Sequence, residues 1–148
     1  MKPAFEELEP FEAYGITWRG TDNKEIPSLW AKFDEIVGPQ MENSPSMLCF
    51  GICRDYDGAT GEFSYMAGIM KGADVREADE CETWSVPGGR WAVFGTTMAE
   101  IHSAFEFIMG EWTSTSGAVL RDAPMVERYP VDFDASPEAR LEILVAIE

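Results

Sequence analysis

Met125-Val126-Glu127-Arg128-Tyr129 is a short strand bounded by Pro124 and Pro130. Side chains alternate across a strand, so Met125, Glu127 and Tyr129 share one face while Val126 and Arg128 share the other. A carboxylate is thereby set between a thioether and a phenol. On a wet face Glu127 is an ordinary surface residue. On a face that lines a cavity it is a partly desolvated anion among polarisable groups, the environment that a pocket for an organic cation requires.

Leu141 to Ile147 alternates as well, and with Val126 to Tyr129 it closes the second half as a hairpin. Upstream, Thr97-Met98-Ala99-Glu100 has the form of a capping box. Met98, Ile101, Phe105, Ile108 and Trp112 follow as one apolar stripe at helical spacing. Before that helix, Glu82 to Val86 leads through Pro87-Gly88-Gly89 into a strand from Arg90 to Gly95. The first half has the same order. A strand from Phe11 to Arg19, begun at Ala4 and bent at Pro10, places Tyr14, Ile16 and Trp18 on one face. Thr21-Asp22-Asn23 then opens a helix carrying Ile26, Leu29, Trp30, Phe33, Ile36 and Val37, with Pro27 tolerated in the first turn and Gly38-Pro39 as the stop. Met47 to Asp55 and Glu62 to Met70 form a hairpin across the turn at Asp57 to Gly61. The predicted fold class is α+β: a βαββ unit used twice, over about 1–75 and 76–148 of a single domain, 1–148. Two such units about a pseudo-twofold axis make one curved antiparallel sheet with two helices and a central groove at their seam.

The 27 acidic residues against 11 basic ones give a net charge of −16 that is spread along the chain. Such a field argues against direct contact with nucleic acid and favours cationic ligands, although acidity also serves solubility alone. The first residues carry Pro3, Glu6, Glu7 and Glu9 where a secretion signal needs an apolar run, and no stretch approaches membrane-spanning length. A cytoplasmic protein with no membrane partner is expected. Cys49, Cys53 and Cys81 lack the spacing of a zinc site or redox pair; on a strand, Cys49 and Cys53 stand roughly 13 Å apart. They are expected to be buried structural thiols, with neither metal nor cofactor bound.

Aromatic residues are numerous enough to line the seam or simply to fill the core. Together with Glu127 they suggest a cation site whose candidate members are Tyr129, Met125, Tyr65, Phe50, Phe63, Trp91, Phe94, Trp112 and Trp30. Glu142 interrupts the closing strand as either a second pocket acid or a surface residue. His102 has no nucleophile beside it and reads as a satisfied helix-surface histidine. The glycines at 88 and 89 join two strands, which excludes a phosphate loop.

Taken together, Val86-Pro87-Gly88-Gly89-Arg90-Trp91-Ala92-Val93-Phe94, Phe63-Ser64-Tyr65-Met66-Ala67-Gly68, Val126-Glu127-Arg128-Tyr129 and the stretch from Tyr14 to Phe33 resemble the GyrI-like effector-binding domains. These are also found attached to AraC-type and MerR-type regulators, and the first-half motif is most similar to the stand-alone, integron-cassette type. The resemblance implies a SOUL/GyrI-like duplicated fold that binds hydrophobic cations in its groove, with Glu127 contacting the charge. It also implies two alternatives. One is a hydrolase of cyclopropane-containing or related reactive xenobiotics, with Glu127 as general base and Tyr65 or Tyr129 as donor. The other is an inhibitor of gyrase type that docks on a protein partner. No helix-turn-helix segment flanks the domain, so direct transcriptional control is not expected. Thr96-Thr97 stands where many relatives have glycine.

Overall fold

The computed structural model describes residues 1–41, 48–72, 75–131, 133–134 and 136–148. Eight strands form one sheet: β1 (Ala4–Leu8), β2 (Phe11–Gly20), β3 (Cys49–Arg54), β4 (Phe63–Met70), β5 (Glu82–Val86), β6 (Gly89–Thr97), β7 (Met125–Tyr129) and β8 (Arg140–Ile147). Their spatial order is β1-β6-β8-β7-β3-β4-β2-β5, and every pairing is antiparallel. The order reads as two four-strand blocks joined where β3 meets β7. Each block takes its edge strand from the other half of the sequence: β1 pairs with β6, and β5 with β2. The bend expected at Pro10 is the crossing point for β1, and Pro87-Gly88 serves β5 in the same way. Gly89 turns the corner at φ +117°, a conformation that a side chain would disfavour.

Two helical segments cover one face of the sheet. α1 (Ile26–Ile36) follows a single 3-10 turn whose start is capped by Asp22, the side chain accepting from the Lys24 N–H at 2.9 Å. Gly38-Pro39 does not end helical structure as expected. Val37 terminates α1, and Gly38 begins a further turn, α2 (Gly38–Met41), because proline's missing N–H costs nothing in a first turn. The second segment starts as a 3-10 turn at Met98–Glu100, becomes α3 (Ile101–Glu106), widens into a π-helical stretch over Phe107–Trp112, and ends in α4 (Thr113–Thr115). The capping box at Thr97 is not made. The N–H groups of Met98 and Ala99 instead donate to the carbonyls of Ala139 and Pro137, both at 3.0 Å, so tertiary contacts satisfy the helix start.

Alternation sorts the core into three clusters. Tyr14, Ile16, Tyr65, Ala67 and Ile69 pack under α1 with Leu29 and Phe33. Ala92, Phe94, Ile143, Val145 and Ile147 pack under the second segment with Ala104, Ile108 and Trp112. On the opposite face Ala13, Phe50, Ile52, Met66, Trp84, Trp91, Val126 and Leu144 form a cluster drawn from seven strands. It is buried although both helical segments lie on the other side, so the sheet curls around it, and the strand order does not close into a barrel. The hairpin strand foreseen from Met47 is observed from Cys49; Met47 itself lies outside the described residues.

Candidate functional site

Glu127 lies at the centre of the seam. In register it faces Gly51 on β3 and Ile143 on β8, and its side chain points to the helical face. It is only 7% exposed. The hydroxyls of Tyr65 and Tyr129 both donate to its Oε1, at 2.7 and 2.6 Å. Trp30 on α1 extends the chain by donating its indole N–H to the Tyr65 oxygen at 3.0 Å. Its ring packs edge-on to Tyr129 at 5.3 Å, so one indole fixes both phenols. Gly51 makes the convergence possible, since a Cβ there would run into the Tyr65 hydroxyl and the Glu127 carboxylate.

Above this floor, between α1 and α3, opens a cavity of about 830 Å³. Its walls include Trp30, Phe33, Phe63, Tyr65, Phe105, Tyr129 and Phe133, so aromatic rings surround the single buried acid. Burial drives the electrostatics. It pushes the Glu127 carboxyl above the usual carboxylate range, against the opposing pull of the bonds from Tyr129 and Tyr65 and the charge of His102. Burial and then the nearby Glu127 charge drive both phenols upward, so they keep their protons and remain donors. Cys49 and Cys53 are half-buried free thiols in the cavity wall. Burial raises Cys49 to about 11 and Cys53 well above its ordinary value, which leaves both as unreactive thiols at neutral pH.

Of the residues nominated from sequence, Glu127, Tyr129, Tyr65, Phe63 and Trp30 meet in this cavity. The others do not. Phe50 and Trp91 occupy alternation positions on the opposite face and are fully packed inside the curl. Phe94 on β6 stacks edge-on at 5.0 Å with Trp112 of the second helical segment, in the core beneath that segment. Met125 shares the face of Glu127 but packs into that same cluster. Glu142 lies on the far side of the sheet, accepting from Arg128 Nε at 2.8 Å, while Glu6 takes Arg128 Nη2 at 2.7 Å. It is therefore an ion-pair partner rather than a second pocket acid. His102 is a helix-surface residue, as expected, yet it also lines the cavity. Its position beside Ile101 and Phe105 was the available signal, because the first turns of that apolar stripe face the cavity while the last turns face the core.

A curved antiparallel sheet whose pseudo-symmetric seam carries a recessed, aromatic-walled acid defines a class of small-molecule-binding α+β domains. The chain belongs to the GyrI-like small molecule binding domain family, which it matches over residues 1–148. Comparison with curated proteins finds no match. Among solved structures, SAV2435 bound to tetraphenylphosphonium is similar at 18% identity and a TM-score of 0.76, over 100% of this chain and 94% of that one. The integron cassette protein VCH_CASS2 from the mobile metagenome of Vibrio cholerae is similar at 20% identity and 0.69, over 100% and 97%. The EcmrR C-terminal domain is similar at 16% identity and 0.70, over 99% and 97%. At these identities the likeness is one of fold. Among the described residues, no helix is long and apolar enough to cross a membrane.

Proposed function

We propose that this domain binds hydrophobic organic cations in the cavity between α1 and α3, with Glu127 meeting the positive charge. The observation that carries the reading is a carboxylate 7% exposed whose only described donors are two phenols and which, among the described residues of the cavity wall, has no Lys or Arg beside it. A buried anion held by neutral donors is only partly compensated, and a desolvated cation among aromatic faces completes it. The net charge of −16 adds attraction at longer range. The presence of tetraphenylphosphonium on SAV2435 supports that cation as a probe.

Trp30 in the wall makes tryptophan fluorescence a direct readout. Tetraphenylphosphonium is expected to bind and the isosteric neutral tetraphenylsilane to bind much more weakly. Glu127→Gln keeps the shape and the acceptor oxygen for both phenols, and should cost roughly tenfold to a hundredfold in cation affinity with little effect on the neutral analogue. Equal affinity for cation and neutral analogue would overturn the reading.

A hydrolytic role has one observation in its favour, the raised pKa of Glu127, which suits a general base. The geometry weighs against it, since the Tyr65 and Tyr129 protons are already committed to Glu127 Oε1 and neither is free for a substrate. Incubation with a cyclopropane-bearing alkylating agent followed by mass analysis is expected to return the compound unchanged.

A further inference from the structure

His102 stands in the first turn of α3, exposed to solvent and lining the cavity that Glu127 floors. It is the one histidine of the chain. Among the described residues of the cavity wall it is also the only side chain able to carry a positive charge. We propose that His102 determines which charge state of the cavity accepts a ligand: a neutral ring leaves Glu127 to the ligand's cation, and a protonated ring opposes it. The inference rests on the cation-binding reading above.

The elements that share the cavity with His102 line it with Asp34 from α1, Cys49 and Cys53 from β3, Tyr65 from β4, Glu127 and Tyr129 from β7, and Asp134 from the segment after β7. Glu106 lies one turn further along α3, and Glu138 and Arg140 flank the carbonyls that satisfy the helix start. The two thiols and two phenols are pushed upward and stay neutral. Asp134 is held low by the Ser136 N–H and stays charged. Imidazole is the side chain whose ordinary titration falls between about pH 5 and pH 8. A charge at His102 is also felt at Glu127, where it opposes the effect of burial. A proton on the ring therefore does two things at once. It neutralises part of the field that draws a cation in, and it repels a cation already seated. Because the ring is exposed and screened by salt, the effect should be about threefold to tenfold in affinity rather than a complete block.

Tetraphenylphosphonium suits the test because its own charge does not titrate. Its affinity is measured at low ionic strength by equilibrium dialysis from about pH 8 to about pH 6, for the parent, His102→Gln and His102→Lys. Each protein is compared with its own affinity at the alkaline end: as pH falls the parent should lose about threefold to tenfold more affinity than His102→Gln loses. His102→Lys should bind more weakly than the parent already at the alkaline end. Parallel decline of parent and Gln variant would assign the pH dependence to Glu127 alone and overturn the proposal, as would a Lys variant that binds like the parent. A parent that fails to prefer tetraphenylphosphonium to tetraphenylsilane at about pH 8 would remove the cation reading and this inference together. A cation preference with parallel pH profiles would remove this inference only.

Discussion

Gly51 and Glu127 face each other across the β3–β7 pairing, and the site depends on one of them having no side chain. A Cβ at Gly51 would enter the space of the Tyr65 hydroxyl and the Glu127 carboxylate and come within 2.8 Å of Tyr65 Cζ. Neither group is the free end of a flexible chain, since Tyr65 is buried between sheet and helix and Glu127 is tied to two phenols. Gly51→Ala is therefore expected to destabilise the fold by about 1–3 kcal/mol through overpacking, and to weaken tetraphenylphosphonium binding by displacing the acid. Thermal denaturation beside the binding measurement checks both, and an unchanged melting temperature would mean that the junction has room to spare. Glu127 itself gives a second expectation at this scale. Its folded-state pKa is raised, so the folded protein holds the proton more tightly than the unfolded chain does, and stability falls as pH rises through the raised value. Glu127→Gln removes that cost while keeping the acceptor. The variant should melt at or above the parent's temperature at neutral pH, with the gap closing as pH falls toward the ordinary glutamate range. A gap that widened on acidification would contradict burial as the dominant cause.

Among the elements, the exchanged edge strands are the feature that most needs a physical tie, and Arg121 supplies one. Its guanidinium donates to the carbonyls of Ile147, Gly88 and Arg90 at 2.8, 3.0 and 3.0 Å, joining the end of β8 to the bend between β5 and β6. Its charge also lies over the Trp91 ring. Three carbonyls in a fixed fork need a planar, five-donor group. Arg121→Ala should cost about 1–3 kcal/mol in denaturant unfolding, and Arg121→Lys should recover little of it, because an ammonium cannot reach three separated oxygens. Full recovery by lysine would mean that only the charge matters. The tie is invisible in the sequence, where Arg121 is one arginine in a loop. The bend at Pro10, by contrast, was legible from the proline alone, although not that β1 crosses to the other half.

Over the whole molecule the excess of negative charge acts on the cavity from a distance. Since the Debye length is about 10 Å at 0.1 M salt, raising ionic strength should slow association of a cation several-fold while leaving a neutral analogue unaffected. Stopped-flow fluorescence at two salt concentrations checks this, and salt-independent association would confine the electrostatics to Glu127. The curl of the sheet sets the other global property. It buries Phe50, Trp84 and Trp91 inside and leaves the helical face with a gap between α1 and α3 above the seam. The same curvature packs one face as a core and leaves room on the other for the cavity, between the clusters under the two helical segments.

What the sequence alone determined was local. Period-two alternation and helical spacing named the strands, both helices and the doubled order, and the placement of Glu127 between Met125 and Tyr129 singled out the acid. Alternation also separates Phe50 from Cys49 and Gly51, and Glu142 from Ile143. Only the tertiary structure decided which face was wet, because alternation assigns side chains to two sides without saying which side the helices cover. The register of β3 on β7, the convergence of two phenols from different strands on one oxygen, the exchange of β1 and β5, and the presence of His102 in the wall all depend on residues far apart in the chain. Long-range pairing fixes such contacts, and no local propensity encodes them.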